Sequence, residues 1–228
     1  ARFETHGINP RLLGGELWTA QNPASSLCFS GANLIPLTGS PEDLDYFSDR
    51  AIAGPRACSS IVGRADLVMQ MWEQIEPVWG PAREVRPVQP LLALTCCAAV
   101  PADPLVRLVT LDDLDAYMPA AIDMFIGEVG VDPTAGDGGR SYRRRLASLI
   151  TAQRVFARFD GPDVVFKAEI GSLSRRVGQI QGVWVDPDRR GEGLGLGGTA
   201  AVAEAVAAHG RIPSLYVNSF NVTARAVY

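Results

Sequence analysis

The run Val183-Trp184-Val185-Asp186-Pro187-Asp188-Arg189-Arg190-Gly191-Glu192-Gly193-Leu194-Gly195 constrains this chain more than any other segment. A short β-branched stretch stops at a proline, and two arginines follow. Glycines then stand at alternate positions, before an alanine-rich segment with few helix breakers. This is the pattern of a strand, a tight glycine loop and a helix N-terminus. Bare backbone N–H groups, the helix dipole and the arginines together make an anion site shaped for phosphate.

Two nucleotide-binding readings of the loop fit poorly. Gly193-Leu194-Gly195-Leu196-Gly197-Gly198 matches G-x-G-x-x-G, but that fingerprint follows a strand directly, and here Pro187 to Glu192 intervene. It also expects an acidic residue about 20 positions on to hold a ribose, and no Asp or Glu follows Glu204. A Walker A loop needs a lysine, and the only lysine is Lys167. A glycine-rich turn with no ligand is the plain alternative.

A second cluster follows at a fixed distance. Ser214 to Asn218 reads as a buried strand, and Asn221 opens a helical stretch through Ala224 to Tyr228. On their own, Asn221 reads as a helix N-cap and Tyr228 as a core aromatic. Taken together, Arg190-x-x-Gly193-x-Gly195 and Asn221-x-x-Ala224-x-x-x-Tyr228 resemble the acyl-CoA loop and the following segment of the GNAT superfamily of N-acetyltransferases, in its bacterial type with an extra N-terminal domain of uncharacterised role.

The resemblance covers residues 105–228, with its motifs in 180–228. It implies an α/β (α+β) protein: a C-terminal GNAT fold, with a central mixed, mostly antiparallel sheet flanked by helices, plus a smaller N-terminal α/β domain. It implies acetyl-CoA as co-substrate and a primary amine as acceptor, on a peptide, a protein or a small molecule. Val183, Trp184, Val185, Arg190, Gly191, Glu192, Gly193, Leu194, Gly195, Asn218 and Asn221 would hold the coenzyme. The phenol of Tyr228 would protonate the departing thiolate, since a phenol of pKa ~10 keeps its proton at neutral pH. The pattern would continue past Tyr228 with a glycine-aromatic pair and two more strands.

The family's strand-4 glutamate has no counterpart, because that region reads Gln179-Ile180-Gln181. Glu169 and Glu128 are the replacement candidates for the base. Strand alternation puts Glu169 on the face of Val165 and Lys167, so it fits a structural ion pair equally well. Arg189 reads as a solvated surface charge. A non-catalytic acyl-CoA sensor and an interaction protein on the same scaffold remain as rival functions.

Composition narrows the partners. The 228 residues carry a formal net charge of −4, which argues against general nucleic-acid binding. No apolar run nears the ~20 residues of a membrane span, and residues 1–20 lack the basic start and apolar core of a signal peptide. A cytoplasmic protein, monomer or homodimer, with no membrane partner is expected. Cys28, Cys58, Cys96 and Cys97 lack C-x-x-C spacing, and His6 and His209 are the only histidines, so no metal site is expected. Cys96 and Cys97 are placed in a buried strand with Leu92, Leu94 and Ala98.

Three segments are expected: an N-terminal domain over 1–98, a linker at 99–104 (Ala99-Val100-Pro101-Ala102-Asp103-Pro104) and the GNAT domain over 105–228. In the first, a strand spans Ala32–Leu37. A helix runs over Pro41–Ile52 with Ser40 as N-cap, and another over Ala65–Trp79 stops at Gly80-Pro81. In the last, the order is a strand at Val106–Val109 and one or two helices over Leu111–Val129 capped by Thr110. A helix follows from Tyr142, then a hairpin across Asp160-Gly161, a strand at Val177–Val185, the loop, a helix to about His209 and a last strand. Whether the first domain is a degenerate GNAT-like half is left open by the sequence.

Overall fold

The computed structural model describes residues 14–228; His6 lies outside them. The chain divides into two compact units between Gln89 and Pro90, each with its own sheet.

In the N-terminal unit, β1 (Gly15–Trp18), β2 (Leu27–Gly31), β3 (Asn33–Thr38) and β4 (Ser60–Ile61) form a sheet in chain order. The first three run antiparallel and β4 joins β3 in parallel. Helix α1 (Pro41–Ala53) starts where its sequence says it should. Ser40 Oγ accepts from the Asp43 N–H, the Asp43 carboxylate accepts from the Ser40 N–H, and Pro41 opens the first turn. Helix α2 (Ala65–Trp79) ends at Gly80 (φ +80°). Its Leu67, Met71 and Ile75 meet Leu44 and Phe47 of α1, with Trp18, Cys28 and Leu34 from the sheet, in one core.

The C-terminal unit carries six strands in the order β5-β10-β9-β8-β7-β6. These are β5 (Leu91–Ala93), β6 (Arg107–Leu108), β7 (Val155–Asp160), β8 (Asp163–Leu173), β9 (Val177–Val185) and β10 (Ile212–Tyr216). All neighbours are antiparallel except β9 and β10. The mixed, mostly antiparallel α/β sheet is therefore as expected. Helices α3 (Leu114–Val129) and α4 (Arg140–Thr151) bury Tyr117, Ala121, Tyr142, Leu146 and Ile150 against one face. Helix α5 (Leu194–Ala207) buries Val202 and Val206 on the other, against Phe166, Ala168 and Ile180. A short helix, α6 (Val222–Val227), follows β10. Thr110 and Asp113 form the capping box that starts a single 3₁₀ turn ahead of α3.

Three expectations need correction. The linker was placed at 99–104, but the units divide at Gln89, and residues 91–93 form β5 on the edge of β10. Proline-rich composition marks an irregular segment, and here that segment lies inside a domain. Cys96 and Cys97 are exposed, since the strand ends at Ala93. The β7–β8 hairpin turns on Gly161-Pro162, with Asp160 paired to Asp163 and Gly161 at φ +59°.

Candidate functional site

The site begins where two parallel strands part. β10 follows β9 only from Ile212–Val177 to Ser214–Gln179. Past that point β9 runs on to Val185, while Leu215 and Tyr216 pair with β5 alone. The upper half of β9 therefore has one open edge. The Asp186 N–H donates to the Val165 carbonyl of β8 at 3.1 Å. Successive residues of a strand turn their backbone groups to opposite edges, so Val185 and Val183 present theirs to the opening.

β9 also carries a bulge. Lys167 stands opposite Trp184 and Glu169 opposite Gln181, so β9 holds one extra residue between the two pairs. Gly182 takes it up at φ +57°, a region that costs glycine nothing. The slip resets the side-chain alternation. Ile180, Val183 and Val185 all face α5. Trp184 packs on the α3 side, where its Nε1–H donates to Asp123 at 2.8 Å.

Beyond Val185, the Asp186 carboxylate accepts from the Asp188 N–H, and a 3₁₀ turn over Pro187–Arg189 leads to the glycines. Gly191 and Gly193 sit at φ +90° and +82°, with open space where a Cβ would lie. Gly193 N-caps α5, and the Leu196 and Gly197 N–H groups are the first to return to its carbonyl. The Leu194 and Gly195 N–H groups thus precede any intrahelical acceptor and point out at the positive end of the helix dipole. The other glycines are there for packing. A Cβ on Gly195 would lie 3.3 Å from Val185 Cγ2, and one on Gly198 would strike the Phe166 ring at 2.6 Å.

The two arginines have different fates. Arg189 bonds Asp160 at 2.8 Å and Glu192 at 2.8 and 2.9 Å, so its charge is neutralised by two carboxylates rather than solvated. The same pair engages the Glu192 carboxylate, leaving only that residue's backbone for a ligand. Arg190 is exposed and makes no hydrogen bond or ion pair among the described residues.

Downstream, Asn218 is half-buried, and Asn221 caps α6 by accepting from the Ala224 N–H at 3.0 Å. Tyr228 packs against the α5-side core. Burial, and secondly the carboxylate of Glu128, push its phenol up to about 12. Glu128 itself is exposed on the last turn of α3. Chain folding thus brings Glu128 near enough to Tyr228, 100 positions on, for its charge to raise the phenol.

Glu169 is different. It is sealed in the sheet's α3 face, where Lys167 Nζ donates to its Oε1 at 3.0 Å and the Tyr117 hydroxyl donates to the same oxygen at 3.2 Å. Arg145 stands 4.0 Å from Oε2. Burial pushes this carboxyl up, but Lys167, Arg145 and Tyr117 outweigh it and hold it below the ordinary range. Burial also lowers Lys167, against the pull of Glu169. A closed-off carboxylate with a depressed pKa is a poor acceptor for an ammonium proton. Of the two roles its spacing allowed, Glu169 occupies the structural one.

Gly182 and Asp123 belong to no motif of the sequence. A lone glycine inside a β-branched strand signals a bulge, and that signal was present.

Residues 15–117 match the family model of a domain of unknown function (DUF4081), and residues 166–228 match that of the FR47-like proteins. No curated protein matches the chain. Among solved structures, an acetyltransferase from the GNAT family of Colwellia psychrerythraea shares 11% identity over 100% of this chain and 83% of its own, at a TM-score of 0.58. A Drosophila protein shares 14% over 94% and 74%, at 0.63. A putative GNAT-family acetyltransferase from Novosphingobium aromaticivorans shares 17%, at 0.44, covering 61% of this chain; the chain spans 56% of that protein. The first two likenesses establish the fold: the C-terminal sheet is GNAT-like. No helix among the described residues is long and apolar enough to cross a membrane.

Proposed function

We propose that this protein is an acyl-CoA-dependent N-acyltransferase that moves the acetyl group of acetyl-CoA to a primary amine by direct attack. The observation that carries this reading is the parting of β9 from β10 beside a loop of left-handed glycines at the N-terminus of α5. The cleft offers an extended edge for an amide-bearing arm and, at its end, an anion seat. The N–H groups of Gly191, Glu192, Gly193, Leu194 and Gly195, with the Arg190 guanidinium, would hold the pyrophosphate. Backbone groups of Val183 and Val185 would bond the pantetheine amides, with the amide groups of Asn218 and Asn221 on the β10 side. Trp184 serves by clamping β9 to α3 through Asp123.

The amine nitrogen attacks the thioester carbon, and the carbonyl electrons pass to oxygen. A β9 N–H near the bulge would stabilise that oxyanion, a contribution on the order of 3 kcal/mol. Collapse breaks the C–S bond, and the thiolate takes the Tyr228 proton. Glu128, exposed on the last turn of α3 and near enough to Tyr228 to raise its phenol, would receive the ammonium proton.

One observation favours a second reading, a non-catalytic acyl-CoA sensor. Gln181 stands opposite Glu169, and its side chain lies over Gly171, where a Cβ would collide with it. No carboxylate therefore projects from that stretch of β9. Release of free thiol from acetyl-CoA across a panel of amines separates enzyme from sensor.

Coenzyme binding tests both readings together. Saturation at about 100 times the Kd stabilises the folded protein by roughly 2.7 kcal/mol, so CoA should raise the melting temperature. Arg190→Ala should weaken this response, and Gly193→Val should abolish it by filling the pyrophosphate seat. An unchanged melting curve in millimolar CoA rejects the enzyme and the sensor alike.

A further inference from the structure

The anion seat has a carboxylate beside it. Glu192 stands between Gly191 and Gly193, whose left-handed backbones shape the seat. Its charge is therefore no farther than one side-chain length from an N–H that would face the ligand. That is well inside the Debye length of about 10 Å at 0.1 M salt, so an uncompensated carboxylate there would repel an incoming phosphate. Arg189 compensates it. Its Nε–H is shared between the two Glu192 oxygens at 2.8 and 2.9 Å, and a second nitrogen donates to Asp160, at the β7–β8 turn, at 2.8 Å. Arg189 above all holds the Glu192 carboxyl below the ordinary range; Arg158 of β7, itself paired with Asp103 at 2.7 Å, adds to the effect. One guanidinium between two carboxylates leaves this cluster a net charge of −1.

We propose that Arg189 is a positioning residue of the anion seat: it cancels the charge of Glu192 and ties the loop to the β7–β8 turn, while Arg190 is left to meet the phosphates. The inference rests on the acyl-CoA reading of the cleft. Two adjacent arginines thus take separate parts. The planar guanidinium of Arg189 is fixed through two different nitrogens, a geometry that a point charge would not reproduce. Arg190 is exposed and makes no hydrogen bond or ion pair among the described residues. Without Arg189 the same cluster would present −2 to a ligand that is itself an anion.

Calorimetric titration of the full chain with free CoA at low ionic strength needs no acceptor amine. Arg189→Gln should weaken binding about fivefold, the scale of one exposed charge acting over a few ångström. Glu192→Gln, which removes the repelling charge, should tighten binding by a similar factor. The double variant Arg189→Gln/Glu192→Gln returns the cluster to the wild-type charge and should bind within about twofold of the wild type. A clamp that acted only by its shape would not be rescued, because the double variant lacks the ion pair. At about 1 M salt, where the Debye length falls to about 3 Å, the four affinities should converge. Wild-type affinity in Arg189→Gln overturns the inference, and so does a double variant as weak as Arg189→Gln. If Arg189→Gln does not fold, Glu192→Gln decides alone, and affinity that is unchanged or weaker overturns the inference. In each case intact binding of CoA by the wild type leaves the acyl-CoA reading standing. Failure of CoA to bind the wild type overturns both.

Discussion

Tyr228 is ordinary until its neighbours are counted. Half-buried against the α5-side core and within reach of the Glu128 charge, its phenol rises from the usual 10 to about 12. The raised value means that the neutral, proton-donating form is favoured in the folded protein, and it persists two decades further into alkali than a free tyrosine. Tyr228→Phe should therefore lower kcat roughly 10²-fold while KM for acetyl-CoA changes little, the mark of a group acting in the transition state. In the wild type, kcat should show no alkaline fall from phenol ionisation below about pH 11. Unaltered turnover in the variant would assign the proton to water. The resemblance, not the residue by itself, implies Tyr228 as a donor, and its raised pKa depends on burial and on Glu128, supplied by a different helix. Glu169 shows the reverse. Its type suggested a base, and its buried partners Lys167 and Tyr117, with the exposed Arg145, make it a fixed anion.

Helix α5 shows how one element answers two demands. Its first turn must leave N–H groups bare, so Gly191 and Gly193 sit at positive φ in open space. Its second turn must approach β8, so Gly198 meets the Phe166 ring. A repeated glycine pattern read as one motif is two physical requirements side by side. Gly198→Ala should cost about 1–3 kcal/mol in urea unfolding, because the added methyl falls within 2.6 Å of a fully buried ring. Its effect on CoA-induced stabilisation should be small, since Gly198 lies below the anion seat. A variant with wild-type stability would mean that Phe166 turns aside freely. β9 carries the other lesson at this scale. Its limits, Val177 to Val185, were legible from β-branched residues and the proline stop. The bulge at Gly182 was not assigned, although it decides that Val183 and Val185 face α5 while Trp184 reaches Asp123.

At the scale of the molecule, the division at Gln89 makes β5 part of the C-terminal sheet. Leu92 and Leu94 pack on the core that holds Leu215 and Val217, and the Leu94 N–H donates to the Pro213 carbonyl at 2.9 Å. A fragment of residues 90–228 should accordingly unfold in one cooperative step. A fragment of residues 105–228, cut at the expected boundary, should lose β5, bare the β10 edge and aggregate or bind hydrophobic dyes. Equal cooperativity of the two fragments by circular dichroism would show β5 to be dispensable. The sequence by itself determined the features whose causes lie within a few residues: the capping boxes at Ser40 and Thr110, the helix stop at Gly80, and the strand, loop and helix order around the anion seat. Only the tertiary structure decided the addition of β5, the parting of β9 from β10, the influence of Glu128 on Tyr228 and the sealing of Lys167 beside Glu169. The first group rests on backbone torsions and local hydrogen bonds that the residue types prescribe. The second rests on strand register and burial between segments far apart in the chain, where the energy belongs to the pairing and not to either partner alone.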